Sequence, residues 1–506
     1  MRGVGRSRGW IVIGLSTLLA GLGAPFAASA KSSPRAAKPS AAPITFGPKV
    51  KVVQTSANLH QALATRPGLR FSSHAPGPGP VITVHNRTRY QRFQGAGGAM
   101  TDSSAWLIGT QMRPGTRAWL LRHLFGPTGI NLNLIRVPMG ASDFTAGRLP
   151  YSYDDLHGGQ TDPTLSQFSI AHDLPYIIPV LRQAISLAVR PFVQATPWSP
   201  PGWMKTNDAL GNWGNSGRLL PQAYAPLAQY FVRFLQAYAQ QGVPVAAITP
   251  QNEPGQQTTY PGMALTADQE AGFINSYLTP ALSAVHLHTR IFADDGIWIG
   301  ADRFGGTVLR SPAAADLSGI ATHCYYGSPT VMADLHRINP KLEQIESECA
   351  PGSLNFPVPE LEIASLRNWA AGVELWNLAL DPRGGPVEAP NKGCHACRGI
   401  VTIDPATDKV SFGPDYYDLG QLSKFVQPGA VRIASNNFVS YAYPFVGADI
   451  ASRGLDDVAF RNPDGSEVLV AYNGGPKTVS FSVREGHRYF PAKLAAGAMA
   501  TFTWAP

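Results

Sequence analysis

The feature that most constrains the fold of this chain is an alternation of short apolar segments with longer amphipathic ones between about Arg92 and Leu380. Short apolar runs bounded by turn residues indicate buried strands, whereas apolar residues that recur every three or four positions indicate helices. The helical spacing is clear in residues 176–185 and 227–238. Such an alternation is typical of repeated β-α units around a parallel sheet.

Eight segments of this region have the character of strands. They are Gln91–Met100, Leu132–Met139, Pro191–Pro197, Pro244–Pro250, Arg290–Asp294, Gly319–Tyr325, Leu342–Glu348 and Gly372–Leu378. Eight such strands predict the α/β class with a closed (β/α)8 TIM barrel. An open doubly wound sheet is the alternative, but Gly95-Ala96-Gly97-Gly98 lacks the third glycine that a phosphate-binding loop needs after the first strand.

The helical pattern ends near Val431, and the remaining chain contains short strands separated by turns such as Asn462-Pro463-Asp464-Gly465. This pattern predicts an accompanying antiparallel β-sandwich, which strands near residues 50–85 are expected to join. We therefore expect a signal peptide at 1–30, a flexible linker at 31–47, N-terminal strands of the β-sandwich at 48–88, the (β/α)8 barrel at 89–430 and the C-terminal β-sandwich at 431–506.

The N-terminus has the pattern of a secretory signal. Arg2, Arg6 and Arg8 precede the apolar run at 10–22, and the small residues at 28–30 form a cleavage site. We expect a secreted protein, extracellular or periplasmic, with no stable membrane insertion after cleavage. An uncleaved anchor is the alternative, although the apolar run is short for one.

Net charge argues against a nucleic-acid partner. Of the net charge of +8, seven positive charges lie in the first 50 residues, so the remainder carries +1. A folded part with so little excess charge offers no basic surface for phosphates, and we expect no nucleic acid among its partners.

The cysteines of an exported protein are expected to form disulfides. Cys394 and Cys397 are spaced like half of a zinc site, but no second pair of ligands matches them, so a local disulfide is favoured. Cys324 and Cys349 form either a second bridge or two buried thiols. No metal and no organic cofactor is expected.

Polar residues follow the ends of the predicted strands, where β/α barrels hold their catalytic groups. Glu253 follows the fourth strand in Gln251-Asn252-Glu253-Pro254, and Glu348 ends the seventh. Two carboxyls facing each other across a barrel mouth suit glycosidic bond cleavage, in which one protonates the leaving oxygen and the other attacks the anomeric carbon. Strand alternation places Glu346 on the same face as Glu348, so only the position at the strand end favours Glu348.

Six sequence blocks, in order along the chain, resemble the signature blocks of glycoside hydrolase family 30, which includes the glucosylceramidases. The blocks are Phe93–Asp102, Arg136–Met139, Thr196–Asn207, Gln251–Pro254, Ser347–Cys349 and Leu375–Leu380. With the C-terminal strands, the resemblance covers roughly residues 50–506.

The resemblance implies a retaining mechanism with Glu253 as general acid/base and Glu348 as nucleophile, their carboxyls about 5–5.5 Å apart. It implies that Asn252 binds the sugar's 2-hydroxyl and that Tyr325 lies beside Glu348 and keeps it ionised. It further implies that Asp102 and Trp198 bind the far side of the sugar and that Trp376 forms a wall. Arg136 and Asn377 are equally well explained as buried polar residues that orient the barrel mouth.

The expected substrate is a β-linked glucoside or glucan, cleaved as by a glucosylceramidase or β-glucosidase. The cysteine-containing loop after Gly384-Gly385-Pro386 differs from that of glucosylceramidases, so ceramide is not favoured as the leaving group. An endo-β-1,6-glucanase or a β-xylosidase is the alternative within the family. A non-catalytic carbohydrate-binding barrel is the alternative of another class, and the presence of both glutamates counts against it.

Overall fold

The computed structural model describes residues 46–505 apart from 75–76, 148, 353–356, 389–393, 395 and 437–453. The expected signal peptide and all but the last two residues of the expected linker lie outside the described residues. Those last two residues already belong to the first strand. Among the described residues, no helix combines the length and the apolar character needed to span a bilayer.

Three strands precede the barrel: β1 (Phe46–Thr55), β2 (Ala64–Ser72) and β3 (Val81–Arg92). Eight parallel strands then form a closed barrel in chain order, β11 returning to pair with β4. They are β4 (Gly95–Ala99), β5 (Leu134–Pro138), β6 (Phe192–Thr196), β7 (Ala247–Ile248), β8 (Arg290–Ile297), β9 (Gly319–His323), β10 (Glu343–Cys349) and β11 (Ala370–Leu375). Each lies within or overlaps one of the eight predicted segments, so the TIM barrel is confirmed.

The helices occupy the segments between and after the barrel strands. They are α1 (Asp102–Thr110), α2 (Pro114–Phe125), α3 (Ile177–Leu187), α4 (Tyr224–Gln240), α5 (Ala267–Phe273), α6 (Thr279–Ala284), α7 (Ala301–Leu309), α8 (Thr330–Ile338), α9 (Val358–Arg367) and α10 (Pro414–Ser423). The apolar faces of α3 and α4 are buried, as their three- and four-residue spacing predicts.

The glycine-rich segment of the first barrel strand serves packing rather than phosphate binding. A Cβ atom on Gly97 would lie 1.8 Å from the carbonyl oxygen of Leu134 on β5, so only glycine permits this approach. Apolar side chains from six strands fill part of the barrel interior: Leu134, Phe192, Ala247, Phe292, Ala321 and Ile345.

The remaining strands are β12 (Ala379–Leu380), β13 (Val401–Asp404), β14 (Lys409–Phe412), β15 (Val431–Ser435), β16 (Leu455–Arg461), β17 (Glu467–Asn473), β18 (Val479–Glu485), β19 (Arg488–Leu494) and β20 (Met499–Trp504). The first three form a small sheet of their own. The last six join β1–β3 in the predicted β-sandwich, whose sheet closes on itself because β1 pairs with β20. Its pairs are antiparallel except β3 with β18, which is parallel.

Strand alternation connects the two cores. On β16, Val458 and Phe460 pack into the core shared with the barrel, whereas Ala459 between them faces the core of the β-sandwich. The β-sandwich and the barrel therefore pack against each other through β16.

Candidate active site

The polar strand ends surround a cavity of about 310 Å³. Seven side chains are expected to act in catalysis or sugar binding, and all but one of them line this cavity. The six are Trp198, Asn252, Glu253, Tyr325, Glu348 and Trp376. The rings of Trp198 and Trp376 stack on each other at 5.0 Å with an interplanar angle of 22°, and both residues contribute aromatic surface to the cavity. Aromatic surfaces of this kind suit the C–H faces of sugar rings.

The exception is Asp102, which is buried and does not line this cavity, so its expected contact with the sugar stays a prediction. It is the first residue of α1, and its carboxylate accepts hydrogen bonds from the backbone N–H of Ala146 at 2.6 Å and the hydroxyl of Tyr176 at 2.8 Å. Tyr176 precedes α3, so the side chain is turned into the helix layer. Being at a strand end therefore does not bring Asp102 to the cavity.

A different carboxyl, that of Asp143, lines the cavity instead. It lies in the loop after β5 and is buried. Burial raises the pKa of Asp143 well above its ordinary value, and the nearby charges of Glu348 and Glu253 raise it further. The sequence pattern missed this residue because it follows its strand by several positions, beyond the strand-end signal.

Two donors hold the carboxylate of Glu348. The Tyr325 hydroxyl donates to Oε1 at 2.8 Å, and the guanidinium of Arg136 donates to Oε2. Charge-assisted hydrogen bonds of this kind stabilise an ionised carboxylate. Glu346, by contrast, is fully buried beside Thr322, away from the cavity lining, and burial raises its pKa well above the ordinary value.

Glu253 is held by His323, whose Nδ1 lies 3.1 Å from Oε1. The other ring nitrogen, Nε2, lies 3.1 Å from Asp295 Oδ1. Burial alone would lower the pKa of His323, but the charge of Glu348 and the hydrogen bonds to Asp295 and Glu253 outweigh it and raise the pKa to about 10. The imidazole is therefore protonated at neutral pH and donates from both nitrogens, and its bond to Glu253 engages Oε1 rather than Oε2.

Asp295 connects the supports of the two glutamates. Its Oδ2 accepts from Arg136 Nη2 at 2.9 Å, while its Oδ1 accepts from His323. Burial alone would raise the pKa of Asp295, but the charge of Arg136 and the hydrogen bond from His323 lower it below the ordinary value. The sequence pattern assigned no role to either Asp295 or His323.

Arg136 also fixes the amide of Asn252. Arg136 Nη2 donates to Asn252 Oδ1 at 2.7 Å, which leaves the amide nitrogen as a donor toward the cavity. Arg136 lies over the ring of Trp198, 4.8 Å from its centroid. The Asn377 side chain, in contrast, is fully buried, and its amide forms no hydrogen bond with other residues that the structure describes.

Two groups of side chains in the described ranges bring metal-ligand types together, with donor atoms within 4.8 Å of one another. In one, Cys324 and Cys349 are joined in a disulfide, and the third member is Glu346. The other is Glu253, His323 and Glu348, in which a protonated imidazole has no free lone pair for a metal. The donor set of the cavity therefore suits proton transfer better than metal binding.

One disulfide lines the cavity, and the other joins two segments that carry residues of the cavity. Cys394 and Cys397 are bridged as predicted and form part of its lining. Cys324 and Cys349, for which the sequence left a bridge and two buried thiols open, also form a disulfide. It joins the chain just after β9 to the end of β10, and so connects the segments that hold Tyr325 and Glu348.

Comparison with known proteins agrees with this geometry. The family model described as "Glycosyl hydrolase family 30 TIM-barrel domain" matches residues 93–426, and the model described as "Glycosyl hydrolase family 30 beta sandwich domain" matches residues 429–502. The chain belongs to glycoside hydrolase family 30. It is an O-glycoside hydrolase, and the resemblance read from the sequence blocks is confirmed.

Among individual relatives, this family 30 enzyme is 35% identical to an endo-1,6-beta-D-glucanase of Neurospora crassa over 398 residues, 76% of this chain and 79% of the relative. It is 31% identical to the lysosomal acid glucosylceramidase of Mus musculus over 467 residues, 86% of this chain and 85% of the relative. A solved endo-beta1,6-glucanase has a TM-score of 0.77 at 26% identity, with 90% of this chain and 100% of that chain covered.

Proposed function

We propose that this family 30 enzyme hydrolyses β-glucosidic bonds with retention of anomeric configuration, using Glu348 as nucleophile and Glu253 as general acid/base. The observation that carries the proposal is the separation of the two carboxyls. One oxygen of each lies within 4.8 Å of the other. Retaining enzymes have carboxyls about 5–5.5 Å apart, whereas inverting enzymes need about 6.5–9.5 Å to admit a water molecule.

In the first step, an oxygen of Glu348 attacks the anomeric carbon while the bond to the leaving oxygen breaks and that oxygen takes the proton of Glu253. In the second step, a water molecule gives its proton to Glu253 and attacks the same carbon, which releases Glu348. Tyr325 and Arg136 stabilise the charged form of Glu348 before attack and after release.

The sugar is proposed to bind against the aromatic surface of Trp198 and Trp376, with the Asn252 amide nitrogen donating to its 2-hydroxyl. A contact of this kind contributes to the rate when it strengthens in the transition state. We assign the binding of further hydroxyls to Asp143 as well, because Asp143 lines the cavity.

The substrate that we favour is a β-1,6-linked glucan. Three fungal relatives named endo-1,6-beta-D-glucanases share 34–35% identity with this chain, compared with 31% for the glucosylceramidase. We also propose export of the protein, which its two disulfides and the signal-like N-terminus support.

The test is hydrolysis of a β-1,6-glucan, glucosylceramide, and nitrophenyl β-glucoside and β-xyloside, with NMR to identify the first anomer released. We expect the glucan to be preferred among the natural substrates and the β-anomer to appear first. An α-anomer as first product would overturn the retaining mechanism.

Glu348→Gln should lower kcat on the order of 10⁴-fold or more. Glu346→Gln is the matched control on the same strand. It should retain activity because Glu346 is buried away from the cavity lining, where burial raises its pKa well above the ordinary value and so favours the neutral form that glutamine resembles. If the two variants exchanged behaviour, Glu346 would be the nucleophile.

A further inference from the structure

A second cavity, of about 530 Å³, adjoins the catalytic one. It lies between the chain that follows β7 and β8 and the helices α5 and α7. Glu253, Gln256 and Ile297 line both cavities, whereas Glu348 lines only the first. Glu253 therefore stands at the border between the two spaces.

Because Glu253 lines both cavities and Glu348 lines only the first, the orientation of a bound substrate can be inferred. A glycosidase acid protonates the leaving oxygen, so the leaving group lies on the side of the acid, and the nucleophile attacks the sugar ring from the opposite face. We propose that the second cavity binds the leaving-group part of the substrate and that this part is a sugar residue of a glucan chain. The inference rests on the proposed roles of Glu253 and Glu348.

The lining of the second cavity has the mixed chemistry that a sugar requires. Gln256, Thr266 and Thr307 supply hydrogen-bonding groups, while Ile297 and Phe304 supply apolar surface. A pyranose presents hydroxyls at its rim and C–H groups on its faces, so it can satisfy both kinds of surface. A hydrocarbon chain would remove the polar groups from water without replacing their hydrogen bonds, at a cost in free energy.

Arg303, on α7, is the charged residue best placed to select the leaving group. It lines the second cavity, its side chain is exposed, and it has no ion pair with another described residue. Its guanidinium donors are therefore free to bind sugar hydroxyls. Arg310, one turn beyond the cavity at the end of α7, is exposed and lines neither cavity.

The first experiment compares kcat/KM for a β-1,6-linked glucotriose with that for nitrophenyl β-glucoside. Arg303→Ala should lower the ratio of kcat/KM for the glucotriose to kcat/KM for nitrophenyl β-glucoside about fivefold. The change should come from a higher KM for the glucotriose, because contacts to the leaving sugar are lost. Ala267→Phe, which places a ring in the same cavity from the first residue of α5, should lower this ratio at least as much. Arg310→Ala is the matched control and should leave the ratio unchanged.

The second experiment traps the glucosyl-enzyme with nitrophenyl β-glucoside as donor and a β-1,6-linked glucobiose as acceptor. An acceptor hydroxyl gives its proton to Glu253 and attacks the anomeric carbon, and the bond to Glu348 breaks. The yield of transfer product relative to hydrolysis should fall about fivefold in Arg303→Ala.

Unchanged ratios in both Arg303→Ala and Ala267→Phe would overturn the inference. The inference would also be overturned if the glucotriose inhibited hydrolysis of nitrophenyl β-glucoside equally in wild type and in Ala267→Phe. A wild type that prefers glucosylceramide to the glucan would overturn the assignment of the leaving group to a sugar. A wild type without activity on any β-glucoside would instead refute the proposed function.

Discussion

Replacing Asp295 by asparagine tests the network that supports both glutamates. Asp295 Oδ1 accepts from His323 and from Ser347, the latter at 2.6 Å, while Oδ2 accepts from Arg136 and from Thr249, the latter at 2.7 Å. An asparagine side chain presents one oxygen and one NH₂ group. In either orientation, therefore, the NH₂ group faces one of the two buried cations, which loses its acceptor.

The expected loss follows from this geometry. The side chains of Asp295, Arg136 and His323 are all fully buried, and breaking a buried ion pair by removing one partner costs about 3–5 kcal/mol. For a folded unit of this length the unfolding entropy is about 1 kcal/mol/K, so Tm should fall by about 3–5 °C. The kcat should fall as well, because Glu253 and Glu348 lose the anchor of their hydrogen-bond donors.

The assay is calorimetric unfolding at neutral pH together with kcat on nitrophenyl β-glucoside. The control is Glu343→Gln, the same chemical change in a half-exposed ion pair with Arg290, which should cost less than about 1 kcal/mol. If Asp295→Asn changed Tm no more than this control and left kcat intact, the network would not be what positions the two glutamates.

Three further outcomes are expected. Glu253→Gln should lower kcat/KM on a β-1,6-glucan about 10²–10⁴-fold but have much less effect on 2,4-dinitrophenyl β-glucoside, whose leaving group needs no protonation. Equal losses on both substrates would contradict the acid role. Folding raises the pKa of His323 from about 6.5 to about 10, so the stability it contributes is fully present below about pH 6.5 and is lost as the pH rises through about 10. Tm measured across this range should therefore decline at alkaline pH, by less in Asp295→Asn, and a flat profile would contradict the raised pKa. The double variant Cys394→Ala and Cys397→Ala should raise KM about fivefold, because these residues line the catalytic cavity. Reduction of the wild type should reproduce this increase, and an unchanged KM in both would show that the bridge does not shape the site.

Much of the architecture was readable from local pattern. Parallel strands in a β/α barrel are buried on both faces and read as short apolar runs, and they appear in chain order around the barrel. For that reason the eight strands were located correctly, and Glu253 and Glu348 could be placed at the same mouth although nearly one hundred residues separate them. The bridge between Cys394 and Cys397 was also predictable, since the two cysteines are three positions apart in the sequence.

Local sequence pattern did not predict which way a side chain points once the chain has left its strand. Asp102 and Asp143 both follow barrel strands, yet Asp102 bonds to Tyr176 in the helix layer and only Asp143 lines the cavity. The path of each loop, and not the strand it follows, decides which side chain returns to the barrel axis. Loop paths depend on packing against distant elements, which no local pattern records.

By itself, the sequence determined the fold class, the family and the pair of glutamates, because each follows from periodicity or from residues that stand together in the chain. Only the tertiary structure decided that the pair stands within 4.8 Å and that Asp295 and His323 support it. It also decided that Cys324 pairs with Cys349. These features depend on distances between groups on different strands. The closure of the barrel brings those strands together and so sets the distances.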